Sequence, residues 1–371
     1  MVEIGPKGEF AASSEHLQSK DAMRGLQNGV RPAKQLFSRT IRRVSTTPAP
    51  HIKTAAEAAS HLIEHFAHKV TKRSQYIDAN QVQKLAIMLG RPVLNGHDTR
   101  RANVPAGTPI PPAYHLVYFT PDDLEAELGA DGSDRTFNAP APFTRRMWAG
   151  GHMKFEKNNP LRVGEEVEEH TKLISAAAKT SRSAGEMVLV QVEKKMYGSQ
   201  GLALVDTRSW VFRPVLHSSA REGVALRSVD GNILAASSIF DVINDSNGEY
   251  AFPVRKLSWS PVGLFRFSAL TFNGHKIHYN EDWTRNAEGH PSIVVHGPLN
   301  VINLLDYWRD FHGEGTGPDE IIYRAMSPVY GGEEYQIRTL DILETTNSKV
   351  FEVAAEKNGV VIMKASIIKK T

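Results

Sequence analysis

Apolar residues recur at helical spacing in TAAEAASHLIEHFAHKV and again in DANQVQKLAIMLG. This predicts helices within residues 53–89, the last closed by Gly90. Residues 91–112 read as a Pro/Gly-rich loop that ends in Pro111-Pro112. A short helix is predicted over 121–128, with Thr120 as its cap, Pro121 in its first turn and Gly129 as its stop. After residue 145 the pattern becomes one of strands. MVLVQVEKKMYG and LALVDTRSWVF are rich in β-branched residues and bounded by glycine. LFRFSALTF, over 264–272, reads as a further strand.

The order then repeats. A helical region is predicted over about 281–312, with strands from there to the end. The last two, FEVAAE and VVIMKASII, are joined through Asn358-Gly359, a strong two-residue hairpin signal. Asn159-Pro160-Leu161-Arg162-Val163-Gly164-Glu165-Glu166-Val167 and Ser327-Pro328-Val329-Tyr330-Gly331-Gly332-Glu333-Glu334-Tyr335 align at an offset of 168, with Pro, Gly, Glu and Glu coinciding. Agreement with the element order makes this a duplicated α+β unit. The expected division is 1–52 as a basic leader and linker, 53–213 as the first unit, 214–252 as a Ser/Gly/Asp-rich connector and 253–371 as the second unit.

Composition narrows the chemistry. The 371 residues allow about two domains. No apolar run approaches the roughly 18 residues of a membrane helix, so no membrane span is expected. There is no cysteine, which excludes disulfides, thiolate nucleophiles, iron–sulfur clusters and Cys-type zinc sites. The net charge of +3 is local. Residues 1–44 hold 8 of the 44 basic residues and 4 of the 41 acidic ones, leaving 36 against 37. The body therefore gives no general case for binding nucleic acid.

No acid falls between Asp21 and Glu57, while Arg24, Arg31, Lys34, Arg39, Arg42, Arg43 and Lys53 do. With Leu36, Phe37 and Ile41 among these charges, the stretch reads as an amphipathic organelle-import leader that contributes nothing to the fold. Glu3, Glu9, Glu15 and Asp21 precede it and are unusual in such a leader; a start at Met23 would exclude them.

The densest polar segment is Phe267 to Tyr279, with Asn273-Gly274-His275-Lys276-Ile277-His278 at its centre. Imidazole is the group most easily tuned for proton transfer near neutrality. The second feature is Val294-Val295-His296-Gly297-Pro298-Leu299. Pro298 suits the first position of a helix with Gly297 at its cap, and Val301, Leu304, Leu305, Trp308 and Phe311 continue an apolar stripe. Pro298 has no N–H, so Gly297 offers the nearest bare donor, suited to a carbonyl oxygen gaining charge. Other patterns carry less. His61-Leu62-Ile63-Glu64-His65 fits an H-x-x-E-H zinc pattern without a third ligand. His275-x-x-His278 likewise lacks further ligands, and Arg145-Arg146 could meet a phosphate or carboxylate. No P-loop, G-x-S-x-G elbow or dinucleotide fingerprint occurs, so neither cofactor nor metal is expected.

NGHKIHY followed by VVHGPL resembles the hydratase motif of MaoC-like hot-dog-fold enoyl-thioester hydratases. More narrowly it resembles the fungal mitochondrial 3-hydroxyacyl-thioester dehydratase type 2 family and its relative mesaconyl-CoA hydratase. PPAYHLVYF and Arg145-Arg146-Met147-Trp148-Ala149-Gly150-Gly151 resemble the corresponding first-half segments. The resemblance covers roughly 55–371. It implies an α+β double hot-dog fold, two helix-wrapped antiparallel sheets in one chain packed as an internal pseudo-dimer. Nothing in the sequence speaks for a further homodimer. In the wider hydratase pattern an Asp and an Asn stand five and three residues before the catalytic His; here Asn273 and His275 hold those places, with His278 as the match to that His.

What the resemblance implies is a hydro-lyase interconverting (R)-3-hydroxyacyl and trans-2-enoyl thioesters of acyl-carrier protein or coenzyme A, in type II fatty acid synthesis of the mitochondrial matrix. His278 would transfer the proton, Asn273 would position the water or hydroxyl, the Gly297 N–H would hold the oxyanion, and His275 is the reserve candidate. The first unit, lacking such a loop, would mainly hold the acyl chain. The alternatives are a mesaconyl- or itaconyl-type dicarboxylyl-CoA hydratase and a non-catalytic acyl-thioester-binding protein.

Overall fold

Four of the five helices among the described residues begin on a residue whose side chain satisfies one of their first free N–H groups. In the computed structural model, which describes residues 52–182, 185–216 and 252–371, α1 (Ala55–Phe66) opens on a capping box. The Thr54 hydroxyl accepts from Glu57 N at 3.2 Å, and the Glu57 carboxylate accepts from Thr54 N at 3.1 Å. Asp78 caps α2 (Ala79–Met88) and Ser260 caps α3 (Pro261–Leu270) in the same manner. The leader and nearly all of the connector expected from the sequence lie outside the described residues, which belong to one unit spanning His51–Thr371.

α3 overturns the strand expected over 264–272. The alternation Phe265-Arg266-Phe267-Ser268 is too short to distinguish strand from helix. Ser260-Pro261 supplies a cap and a first-turn proline, and Leu264, Phe267 and Leu270 then fall on one buried face while Val262 and Phe265 face out. The helix expected over 121–128 is reduced to a 3-10 turn at Glu125–Glu127. Leu124 there is 70% exposed, so the segment has no apolar face to offset the cost of starting a helix. The 53–89 region also contains a strand, β1 (Thr71–Tyr76), and the loop after it contains a small hairpin, β2 (Val93–Leu94) and β3 (His97–Asp98).

The remaining strands are β4 (Arg145–Phe155), β5 (Glu166–Ser181), β6 (Gly185–Gly198), β7 (Gly201–Arg213), β8 (Val254–Ser258), β9 (Glu320–Ala325), β10 (Glu334–Glu344), β11 (Ser348–Lys357) and β12 (Val360–Lys370). Apart from the small hairpin, all join one antiparallel sheet in the order β1-β5-β6-β7-β4-β9-β12-β11-β10-β8. Read from either end the order is the same under the exchange of β1 for β8, β5 for β10, β6 for β11, β7 for β12 and β4 for β9. This is the α+β double hot-dog architecture. The two five-strand halves meet edge to edge at β4–β9, which removes one exposed edge from each. The seam is tight: a Cβ on Gly150 would lie 2.5 Å from the Tyr323 carbonyl oxygen.

The repeated segment forms the same turn twice. The Glu165 carboxylate accepts from Arg162 N and the Glu333 carboxylate from Tyr330 N, each at 3.1 Å. Gly164 and Gly332 both have positive φ, at 88° and 80°, and β5 and β10 start two residues later.

The halves differ in what they wrap. The second holds the long helix α5 (Gly297–Phe311), in which every residue from Leu299 to Trp308 is buried. Two of its buried polar side chains are paired across the core: Tyr335 donates to Asn300 at 2.8 Å and Tyr114 to Asp306 at 3.0 Å. At the corresponding place in the first half stands a single 3-10 turn, Tyr114–Val117. Tyr118 is extended, Phe119 has φ 50°, and Pro121 follows, so the helix cannot continue.

Candidate active site

The polar segment begins where α3 ends. Phe272 takes a left-handed φ of 47°, and Asn273 N then donates to the Ser268 carbonyl at 2.8 Å, folding the chain back. The Asn273 side-chain oxygen accepts from His275 N at 3.0 Å, so the free end of that amide is its Nδ2. A 3-10 turn, Lys276–His278, follows, and Asn280 caps the short α4 (Glu281–Asn286). The segment after α4 returns alongside. Val294 N donates to Ile277 O at 2.8 Å, and the Val294 carbonyl accepts from His278 Nδ1 at 2.7 Å.

That last bond decides the state of His278. A carbonyl only accepts, so Nδ1 carries the hydrogen and Nε2 keeps the lone pair. Burial, helped by the neighbouring His275 ring, lowers the pKa of His278 to about 3. His275 is lowered to about 3 by burial together with the Arg146 charge. Both are neutral near pH 7.

α5 begins one residue earlier than the sequence suggests. His296 is the N-cap, Gly297 the first helical residue and Pro298 the second. The Gly297 N–H has no hydrogen-bond partner among the described residues. On its side-chain side Gly297 is closed by Trp148 of β4, whose Cγ would lie 2.9 Å from a Cβ at that position. His296 is fully buried, its Nε2 at 2.9 Å from the Ser268 hydroxyl and its Nδ1 without a partner.

Asn273, His275, His278 and Gly297 all line one cavity of about 730 Å³, together with His296 and Trp148. The four residues singled out from the sequence are therefore brought together. The wall from the first half is charged. Lys194 lies 2.9 Å from Glu169, Arg73 is 3.5 Å from the same carboxylate, and Arg208 is 2.7 Å from Asp206. The Arg208 guanidinium sits 5.6 Å from the Trp148 ring centre. Arg145 and Arg146 are ion-paired with Glu288 and Asp134 at 2.7 and 2.8 Å, a structural use of both.

The family model for hydroxyacyl-thioester dehydratase type 2 matches residues 113–331, which hold the whole polar segment from Phe267 to Tyr279 and α5. The chain belongs to this family. A mesaconyl-C(4)-CoA hydratase of Chloroflexus aurantiacus is 32% identical over 228 residues, 61% of this chain and 72% of that protein. A mitochondrial hydroxyacyl-thioester dehydratase type 2 of Schizosaccharomyces pombe is 25% identical over 240 residues, 62% and 77% of the two chains. Among solved structures, a MaoC-like dehydratase from Phytophthora capsici superposes with a TM-score of 0.55 at 15% identity, covering 84% of this chain and 99% of that one. HtdX of Mycobacterium tuberculosis gives 0.51 at 14% identity, covering 82% and 100%. These two show the fold.

As a type 2 dehydratase the chain is a hydro-lyase, and the site contains what dehydration demands. A neutral imidazole can accept a proton, an amide can hold an oxygen, and a bare N–H at a helix start can meet an oxyanion. Sequence reasoning left three neighbours unassigned. His296 stands in the VVHGPL motif and was readable as a third imidazole. Trp148 stands in the RRMWAGG segment, but nothing local says that it meets Gly297. Asp131, 3.4 Å from His275 Nε2, comes from a first-half loop and had no signal linking it to the site.

Proposed function

We propose that the protein interconverts (R)-3-hydroxyacyl and trans-2-enoyl thioesters, with His278 as the proton-transferring group. The observation that carries this is His278 itself, its Nδ1–H fixed on Val294 O, sharing a cavity with the unpartnered Gly297 N–H. In dehydration, Nε2 of His278 takes the α-proton. The C–H electron pair develops as an enolate whose oxygen rests on the Gly297 N–H, then forms the C=C bond as the Cβ–O bond breaks. The departing hydroxide takes its proton from the His278 imidazolium, so water leaves and the imidazole is neutral again. Asn273 Nδ2 donates to the oxygen that comes and goes, and His275 stands beside it.

A role in mitochondrial type II fatty acid synthesis is supported by the Schizosaccharomyces pombe relative, whose name places it in mitochondria, and by the basic stretch at 23–44. The matrix is the compartment that fits both. The thioester carrier is acyl-carrier protein or coenzyme A.

One observation favours a second reading, a short dicarboxylyl-CoA hydratase of mesaconyl or itaconyl type. Arg73, Lys194 and Arg208 line the same cavity, in ion pairs with Asp122, Glu169 and Asp206, and a second substrate carboxylate needs a cation. The Chloroflexus aurantiacus relative points the same way. Turnover of crotonyl, decenoyl and mesaconyl thioesters separates the readings. Long-chain preference supports the first and mesaconyl preference the second. In either, His278→Ala should lower turnover by at least ~100-fold. A folded variant with near-normal hydration of crotonyl-CoA overturns the assignment of His278.

A further inference from the structure

We infer that Asp131, carried by a loop of the first half, is the carboxylate that orients His275 and makes it a positioning group for the substrate hydroxyl or water. The inference rests on the reaction proposed above.

The reaction loop holds two imidazoles but no acid of its own between Phe272 and Tyr279. The carboxylate arrives from elsewhere. Asp131 Oδ2 lies 3.4 Å from His275 Nε2, with the two side chains 14% and 8% exposed. Its other oxygen is already committed: Oδ1 accepts from Ser133 N at 3.0 Å and from the Ser133 hydroxyl at 2.8 Å. That fixes the plane of the carboxylate and leaves Oδ2 for His275. The two atoms are at ion-pair distance without the alignment of a hydrogen bond, and catalytic hydrogen bonds often form only when substrate is bound.

The two loops are docked as one piece. The Asp131 carbonyl accepts from Lys276 N at 2.8 Å, and the Ala130 carbonyl accepts from Lys276 Nζ at 2.8 Å. Gly132 and Gly274 meet backbone to backbone, so a Cβ on Gly274 would stand 2.6 Å from the Gly132 carbonyl oxygen. Side chains at either glycine would separate the loops and carry Asp131 away from the ring. The first half thus supplies a part of the site as well as one wall of the cavity.

The chemistry follows from donor and acceptor capacity. A carboxylate accepts the Nε2–H of His275, which leaves Nδ1 as the acceptor of that ring. In a residue that lines the cavity, Nδ1 is suited to accept the O–H of the β-hydroxyl, while Asn273 Nδ2 donates to its oxygen. The hydroxyl is then held through both its hydrogen and a lone pair, and its second lone pair faces the proton that His278 delivers. His278 is fixed in its tautomer by the Val294 carbonyl; His275 is fixed in the opposite tautomer by Asp131.

The test measures crotonyl-CoA hydration by the full chain. Asp131→Ala should lower kcat by at least about 10-fold with KM within about threefold, because the loss is one of orientation at the reacting oxygen. In a His275→Gln background the same change should cost less than about twofold, since groups that act as a unit are not additive. Asp131→Asn, which keeps the size of the side chain, provides the reading if the alanine variant does not fold. Independently of activity, 15N NMR should show His275 as the Nε2–H tautomer in the native protein and a mixture in Asp131→Asn. Native-like kcat in both variants, or a full-size effect of Asp131→Ala in the His275→Gln background, overturns the inference. His278→Ala is measured alongside. If that variant keeps its turnover, the proposed reaction assignment fails while the NMR result still reports on the Asp131–His275 pair.

Discussion

The imidazoles of His278 and His296 lie face to face, with centroids 3.6 Å apart and planes 17° from parallel. Neither is on the surface; His296 is wholly buried and His278 is 8% exposed. Burial keeps both rings neutral, helped by the neighbouring His275 ring at His278 and by the His278 and His275 rings at His296. Burial of the stacked rings therefore sets the resting protonation state of the site.

The pH dependence follows with a definite sign. The unfolded chain binds protons on these histidines near pH 6.5, whereas His275 and His278 in the folded chain bind them only near pH 3. The unfolded state thus holds more protons across that window, and stability falls as pH falls through it. Each ring contributes up to about 1.4 kcal/mol per pH unit. Urea melts between pH 5 and 8 should show a midpoint that drops below about pH 6.5, while kcat/KM shows no imidazole limb near 6.5 in the range where the protein stays folded.

His296→Ala should cost stability and activity together. It removes a buried ring packed on Phe267 as well as on His278, and it strips the Ser268 hydroxyl of its ring partner. A loss of about 2–4 kcal/mol is expected from the cavity and the broken bond. Urea denaturation measures it, and Ser268→Ala, which removes only the hydrogen bond, should lose about 1 kcal/mol.

Gly297→Ala tests the helix start. The new Cβ would meet Trp148 Cγ at 2.9 Å, and Trp148 is itself held between Trp210 and Tyr323. The N–H must shift relative to the thioester oxygen. Losing an oxyanion donor costs on the order of 100-fold in kcat; a shifted donor should cost at least about 10-fold, with KM little changed, in steady-state hydration of crotonyl-CoA.

Deleting residues 1–44 should leave in-vitro activity and melting temperature nearly unchanged and abolish organelle import of a tagged protein. A truncated protein that fails to fold would show that the segment belongs to the structure, and one that still enters mitochondria would show that the address lies elsewhere.

Short-range signals account for most of what was legible beforehand. The Asn358-Gly359 hairpin is written in two residues that tolerate φ of 49° and 76°. The Asn95-Gly96 turn between β2 and β3 carries the same signal within a region read only as a loop. The turn repeated at Arg162–Glu165 and Tyr330–Glu333 was visible because one carboxylate reaches back three residues in each copy. The α3 segment reads as a strand because Phe265-Arg266-Phe267-Ser268 alternates over four residues, although Ser260-Pro261 holds the signal that decides it.

By itself the sequence determined α1 and α2, the Asn358-Gly359 hairpin, the repeated turn and the placing of Asn273, His275 and His278 on one short loop, because each depends on contacts within a few residues. The tertiary structure alone decided that the halves share one ten-stranded sheet, that Trp148 closes over Gly297, that His296 stacks on His278 and that Asp131 reaches His275. Lys276 Nζ and the Ala130 carbonyl, which help to hold that last pair together, are 146 residues apart in the chain. Local hydrogen bonding and hydrophobic period say nothing at such a separation. Which carboxylate meets which imidazole is settled by how strand edges and loops pack once both halves have folded.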